Sequence, residues 1–198
     1  GRASRQRAAD IDHLVQTGRE PETGGIRWVE EGDTINACST GAGALLHAGL
    51  GGDVTHSLRF LSGLRDANGL VQDHVRADGS IDPAIYSYNQ GLLIAAAYHA
   101  GDAVLAREAS EAGEAHFTPA ALWRQPVCFN AIYVKAQLQM GRSAHIREYA
   151  EMLDENGRDR DGWFTQAGRY DDGSVLDTAG ALQIFTLLEF PHLVDRVV

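Results

Sequence analysis

The sequence predicts an all-α fold built as an α/α toroid of helical hairpins. Three observations point there. Apolar stripes recur at helical spacing along the whole chain, with no convincing run of strands. Segments that are apolar or small on all sides alternate with segments charged on one face, which is the pattern of an inner ring of buried helices inside an outer ring facing water. Short returns such as Gly101-Asp102 and Gly141-Arg142 alternate with long loops rich in Gly, Asp and aromatic residues, so the long loops gather on one face.

Taken in order, Ser4 to Thr17 reads as an outer helix with Ala8, Ile11, Leu14 and Val15 on one face, stopped by Gly18. Thr23 to Gly32 reads as a loop with room for a short hairpin. Asp33 or Thr34 is expected to cap a small-residue helix to about His47, and Asp53 to cap a third helix through Leu64. Asn68 to Ile85 reads as a long loop, a type that tends to be functional in a compact domain. It delivers the chain to Tyr86-Ser87-Tyr88-Asn89-Gln90-Gly91 and a nearly all-apolar helix to Ala100. A fifth helix ends near His116. After a connection from Thr118 to Gln125, Pro126 suits the first turn of a sixth helix through Met140. A seventh follows Ser143, a second long loop spans Gly157 to Ser174, and an eighth helix runs from Val175 to Phe190, stopped by Pro191. These make about four hairpins in a single domain over residues 1–198.

Composition bounds the function. The chain has 198 residues, 44% hydrophobic and 22% charged, as a globular domain does. A net charge of -10, with Lys135 the only lysine, argues against a nucleic-acid partner. No apolar run approaches the roughly 20 residues of a membrane span. Cys38 and Cys128 lie far apart in apolar helices and read as buried thiols; no Cys-x-x-Cys or His-x-x-x-His spacing supports a metal, and no cofactor is expected. The opening residues contain no initiator Met and no signal-type apolar region, so either the start has been removed or a longer protein is involved.

The Tyr86–Gly91 stretch carries ring faces, hydroxyls and paired amide donors and acceptors, which suit a polyhydroxylated ligand. The bland alternative makes the tyrosines core, Ser87 a cap and the amides ties to backbone. Trp28 serves either as a sugar platform or as a lid on the core; Asn36 either as a ligand contact or a backbone cap; Asp73 and His74 either as an acid/base pair or as exposed loop residues. Trp123 and Trp163 recur at entries to later helices, in line with an aromatic-lined cleft.

Four motifs stand in a known order: Gly24-Gly25-Ile26-Arg27-Trp28, Asn36-Ala37, Gly69-Leu70-Val71-Gln72-Asp73, and Tyr88-Asn89-Gln90-Gly91. Together they resemble glycoside hydrolase family 76, the α-1,6-mannanases and related proteins on an (α/α)6 barrel. The resemblance covers Gly24 to Ala100 well and fades from Gly101 to Gly157. It implies that Trp28, Asn36, Asp73, Tyr88, Asn89 and Gln90 contact substrate, a mannose-containing oligo- or polysaccharide. It also implies a retaining reaction by two adjacent aspartates on an inner helix upstream of the Gly-Gly-Ile turn. That helix is absent here, so the chain is expected to be the C-terminal two thirds of a larger barrel and not catalytic by itself. The one Asp-Asp, Asp171-Asp172, precedes Gly173-Ser174 and reads as a solvated turn rather than as the catalytic pair. Another (α/α)6 sugar enzyme, of unsaturated-uronyl hydrolase or epimerase type, or a non-catalytic glycan-binding module stay as alternatives. An open ring leaves apolar helix flanks bare, so a homo-oligomer or a further N-terminal segment is expected to cover them. Family members are often secreted, but nothing in the chain sets its compartment.

Overall fold

The computed structural model describes residues 2–165 and 174–195. Asp171 and Asp172 lie outside them. Nine helices are found among the described residues: α1 (Arg2–Thr17), α2 (Ala37–Gly49), α3 (Thr55–Gly63), α4 (Ser87–His99), α5 (Ala103–His116), α6 (Pro119–Leu122), α7 (Val127–Gln139), α8 (Ala144–Asn156) and α9 (Val175–Glu189). The apolar helices α2, α4, α7 and α9 stand side by side in that order, while α1, α3, α5 and α8 pack outside them. The alternation of buried and half-charged helices in the sequence is thus the alternation of inner and outer helices in space.

Glycine sets how closely the inner helices approach. A side chain on Gly41 of α2 would meet Leu92 Cβ at 2.7 Å, one on Gly91 of α4 would meet Tyr133 Cα at 2.7 Å, and one on Gly180 of α9 would meet Cys128 Cα at 2.9 Å. Each inner interface therefore has a point where only hydrogen fits. Around these points Leu93, Ile94, Tyr133, Val134 and Ile184 are fully buried and form one continuous core.

The all-α class holds, with one small sheet added, of which the sequence predicts only a short hairpin within residues 23–32. Ile26–Arg27 (β1), Ile35–Asn36 (β2), Gln72–Val75 (β3) and Ile81–Ile85 (β4) form an antiparallel four-stranded sheet in sequence order. Asn68–Ile85, read as a loop, is largely the β3–β4 hairpin, closed by Asp78-Gly79. Short strands with mixed polarity leave too little alternation to detect, and the backbone pairing itself holds them. The helix-start expectations change too. Asn36, not Asp33 or Thr34, occupies the cap position of α2, in extended conformation because it still belongs to β2. Ser87 lies inside α4 and donates to Asn130 Oδ1 at 2.8 Å instead of capping. The connection before Pro126 contains the one-turn helix α6, capped by Thr118.

A turn recurs at three of the entries to the inner helices. After α1, α3 and α8 an arginine bridges to a buried apolar residue: Arg19 to Ile26, Arg65 to Val71, Arg158 to Phe164. A glycine with positive φ closes each turn, Gly24, Gly69 and Gly162. In two of them an aspartate side chain accepts two backbone N–H groups: Asp66 from Asn68 and Leu70, Asp159 from Asp161 and Trp163. The bridged residue then donates its N–H to the fourth residue of the following inner helix. Ile26 donates to Thr40 Oγ1 (2.8 Å), Val71 to Gln90 Oε1 (3.0 Å) and Phe164 to Thr178 Oγ1 (3.1 Å). In α7 the fourth residue, Asn130, likewise ties back, donating to the Leu122 carbonyl at 2.8 Å. These latches fix the heads of the inner helices to the turns that feed them. Replacing Thr40 with Val keeps its shape but strands the buried Ile26 N–H, so Thr40→Val is expected to lower stability by about 1–3 kcal/mol in denaturant titration.

Candidate functional site

The heads of α2 and α4 and the strand β3 meet around Asp73. Asn89 Nδ2 donates to Asp73 Oδ1 at 3.0 Å, and the Tyr88 hydroxyl to the same oxygen at 3.4 Å. His74 Nδ1 lies 2.9 Å from Asp73 Oδ2. A bulge between Gln72 and His74 in the β3–β4 pairing is what lets consecutive residues turn toward each other. Asn36 pairs with His74 across β2 and β3, which brings the first residue before α2 to the same place. Burial, then the neighbouring Asp73 carboxylate, push the Tyr88 phenol above its ordinary range; the same two causes raise the Cys38 thiol in the first turn of α2. Both shifts favour the neutral, hydrogen-bonding form of these groups.

Aromatic rings wall this group on one side. Tyr88 stacks on Tyr86 with centroids 5.5 Å apart and planes 8° from parallel, and Phe129 of α7 stands edge-on to Tyr88 at 4.3 Å. Phe129 is a member that sequence reasoning missed; its position in the first turn of the next inner helix is the only signal it gives. Two buried acceptors, Asn36 Oδ1 and Asn89 Oδ1, have no donor among the described residues. The two amide oxygens are enclosed, so what the group presents is one carboxylate, a phenol hydroxyl and ring faces, which suit a ligand rich in hydroxyl donors.

Not every expected residue arrives here. Gln90 is fully buried; its Oε1 accepts from Val71 and its Nε2 donates to the Ala109 carbonyl at 2.7 Å. It does what Thr40 and Thr178 do in the equivalent places, so the bland reading of this amide as a backbone tie is the one its bonds describe. Trp28 is 59% exposed and lines a groove between α1 and α2, with Leu14 and Ala42, outside the rings stacked around Tyr88. Trp123 packs against the core, and Trp163 is exposed on its turn. Asp82 accepts from Ala84 N–H and pairs with Arg76, as turn chemistry requires. Asp12 is bound by His47 at 2.8 Å and by Gln16, joining α1 to α2. Asp177, buried at the head of α9, accepts from Cys128 N–H at 3.1 Å and so serves the N-terminus of α7. Burial, followed by that carboxylate, pushes the Cys128 thiol up to about 11. Among the described residues no group of three or more His, Cys, Asp or Glu is placed to hold a metal ion, and no helix is long and apolar enough to cross a membrane.

A family 76 glycoside hydrolase from a bovine Bacteroides thetaiotaomicron strain matches with TM-score 0.73 and 18% identity, over 91% of this chain and 50% of its own. An inactive variant of an α-1,6-mannanase of Salegentibacter, solved with α-1,6-mannotetrose, matches with TM-score 0.71 and 21% identity, over 96% of this chain and 69% of its own. A Bacteroides thetaiotaomicron α-mannanase matches with TM-score 0.71 and 16% identity, over 93% and 62%. The fold is that of the family 76 glycoside hydrolases. By sequence, no protein-family model and no curated protein matches the chain. The chain spans half the length of the first of these family 76 structures, so the toroid fold is shared over a part of it.

Proposed function

We propose that this chain carries the oligosaccharide-binding end of a glycoside hydrolase-like toroid directed at α-linked mannose, and that it binds without cutting. The observation that carries the reading is the Asp73 group: a carboxylate held by Asn89 and Tyr88 between two inner helix heads, with aromatic rings alongside. Sugar hydroxyls donate to such acceptors while the apolar face of a pyranose rests on a ring. The likeness in fold to an α-1,6-mannanase solved with α-1,6-mannotetrose favours mannose oligosaccharides over other hydroxyl-rich ligands.

Retaining hydrolysis needs two carboxyl groups about 5–5.5 Å apart across the scissile bond. The hydrogen-bonded group around Asp73 contains one carboxylate. In this reading the reacting pair comes from elsewhere in a longer protein, and residues 1–198 supply recognition. In calorimetry with α-1,6-mannotetrose the chain is expected to bind, and incubation with α-1,6-mannan to release no reducing ends. Binding of an unrelated oligosaccharide but not the mannose one would contradict the substrate class. Sustained release of reducing ends would contradict the division of labour.

A further inference from the structure

Gln125, in the connection between α6 and α7, makes no bond to Asp73, yet its side chain is aimed at the stretch that builds the Asp73 group. Its Oε1 accepts from Ser87 N–H at 3.2 Å and its Nε2 donates to the Ile85 carbonyl at 3.2 Å. Those two backbone groups flank Tyr86, so one side-chain amide spans this residue as a neighbouring strand's peptide would. The backbone of Gln125 is itself held. Its N–H donates to the Leu122 carbonyl at 2.9 Å, and Pro126 after it has a locked φ, here -53°.

The amide fits only one conformation of Tyr86. Tyr86 stands between β4 and α4, extended at φ -121° and ψ 140°, and its own side chain makes no capping bond. Ser87 N–H is one of the groups that a helix start leaves without a partner, and Gln125 supplies the acceptor from another hairpin. In an extended residue the preceding carbonyl and the following N–H point to the same side, where one amide reaches both. In a helical residue carbonyls point toward the C-terminus and N–H groups toward the N-terminus, and no single amide bridges them. The rings depend on the same choice. Residues two apart on a helix do not face each other. The parallel stack of Tyr86 on Tyr88, at 5.5 Å and 8°, therefore requires Tyr86 to stay outside the helix.

We propose that Gln125 is a positioning residue for the sugar-binding end: it holds Tyr86 extended and so sets the ring stack that walls the Asp73 group. Three residues of one short segment act together. Gln125 fixes the backbone on both sides of Tyr86. Phe129 stands edge-on to Tyr88 at 4.3 Å and to Tyr86 at 5.9 Å. Asn130 Oδ1 accepts from the Ser87 hydroxyl at 2.8 Å. Tyr88, held in this stack, keeps its hydroxyl toward Asp73. Gln125 acts through Tyr86 and not on the ligand. Its effect on affinity rests on the mannose-binding reading; its effect on the ring stack does not.

Nuclear magnetic resonance of the full chain with isotope-labelled tyrosine, in the parent and in Gln125→Ala, tests it. Before any ligand is added, the ring signals of Tyr86 and Tyr88, assigned with Tyr86→Phe and Tyr88→Phe, are expected to lose the mutual ring-current shifts of the stack. Far-ultraviolet dichroism stays unchanged. Titrated with α-1,6-mannotetrose, Gln125→Ala is expected to bind roughly three- to tenfold more weakly than the parent chain, the worth of one misplaced aromatic contact. Gln125→Glu keeps the acceptor at Ser87 N–H but loses the donor to the Ile85 carbonyl, and is expected to fall between the two in both readouts. Thr178→Val, which breaks the latch at the head of α9, controls for lost stability alone: it lowers the melting temperature and leaves tyrosine signals and affinity unchanged. Tyrosine signals identical in the parent chain and both Gln125 variants would overturn the proposal. So would an affinity lowered as much by Thr178→Val as by Gln125→Ala. A parent chain that binds no mannotetrose, with tyrosine signals that move in Gln125→Ala, would contradict the mannose reading and uphold the Gln125 clamp.

Discussion

Gly91→Ala is expected to be among the most damaging single-methyl changes within the inner helices. Elsewhere on a helix, exchanging Gly for Ala gains up to about 1 kcal/mol from reduced backbone freedom in the unfolded chain. At Gly91 the new methyl meets Tyr133 Cα at 2.7 Å, Tyr133 N at 2.8 Å and Ile132 C at 3.0 Å. All three are backbone atoms of α7, so no side chain can swing aside; α4 and α7 must separate along their whole contact. That separation also stretches the Ser87–Asn130 bond and opens the Leu93 layer of the core. Overpacking costs about 1–3 kcal/mol in general, and backbone-to-backbone crowding belongs at the upper end or beyond, which outweighs the gain. A loss near 3 kcal/mol lowers the melting temperature of a chain this size by roughly 6–12 °C. Gly63→Ala is the matched control: it sits at the exposed end of α3 with nothing within 4 Å of the added methyl, and is expected to leave stability unchanged or slightly raised. Calorimetric melting of both variants settles the comparison; equal melting points would refute glycine-set packing of the inner helices.

Asp73→Ala is expected to abolish oligosaccharide binding while leaving the fold intact. Asp73 is half-buried on the short strand β3, and its three partners, Asn89, Tyr88 and His74, lie at the head of α4 and on β3 itself. A hydrogen bond to a charged acceptor is worth about 1.5–3 kcal/mol, so losing the carboxylate removes at least about tenfold in affinity directly. The loss exceeds that, because Asn89 Nδ2 is left without its acceptor and the amide is free to rotate away from the ligand. Tyr88→Phe removes the hydroxyl and keeps the ring on Tyr86 and Phe129, so it is expected to cost less than Asp73→Ala. Gln90→Ala separates position from chemistry: it breaks the latch to Val71 and lowers stability without removing a group that bonds Asp73. If Asp73→Ala and Tyr88→Phe both bound α-1,6-mannotetrose like the parent chain, the site would lie elsewhere.

The inner and outer helices were legible because burial writes itself into side-chain periodicity: Leu92 to Ala97 is apolar all round, whereas Arg107, Glu108 and Glu111 mark one wet face. The head of α4 was legible for a different reason, since Tyr88 and Asn89 stand in a motif order shared with a known family. The sheet was not. Gln72–Val75 holds no alternation, and its strand character comes from pairing with Ile81–Ile85 across a tight turn. The latches were half legible. Arg65-Asp66 to Gly69 and Arg158-Asp159 to Gly162 repeat the same turn chemistry in plain view, but the partner of each turn lies as far away as Gln90 or Thr178, and no local rule reaches that distance. Gln90 shows the consequence. By composition it reads like Asn89 as a candidate sugar contact, and its bonds to Val71 and Ala109 become visible only from its place as the fourth residue of an inner helix.

The central claim is that the Asp73 end of this arc of helices recognises mannose oligosaccharides. Titration of α-1,6-mannotetrose into the parent chain and into Asp73→Ala by calorimetry tests it most directly. Saturable heat with the parent chain and none with Asp73→Ala is the predicted result. No heat with either, from chains that melt cooperatively, would contradict it.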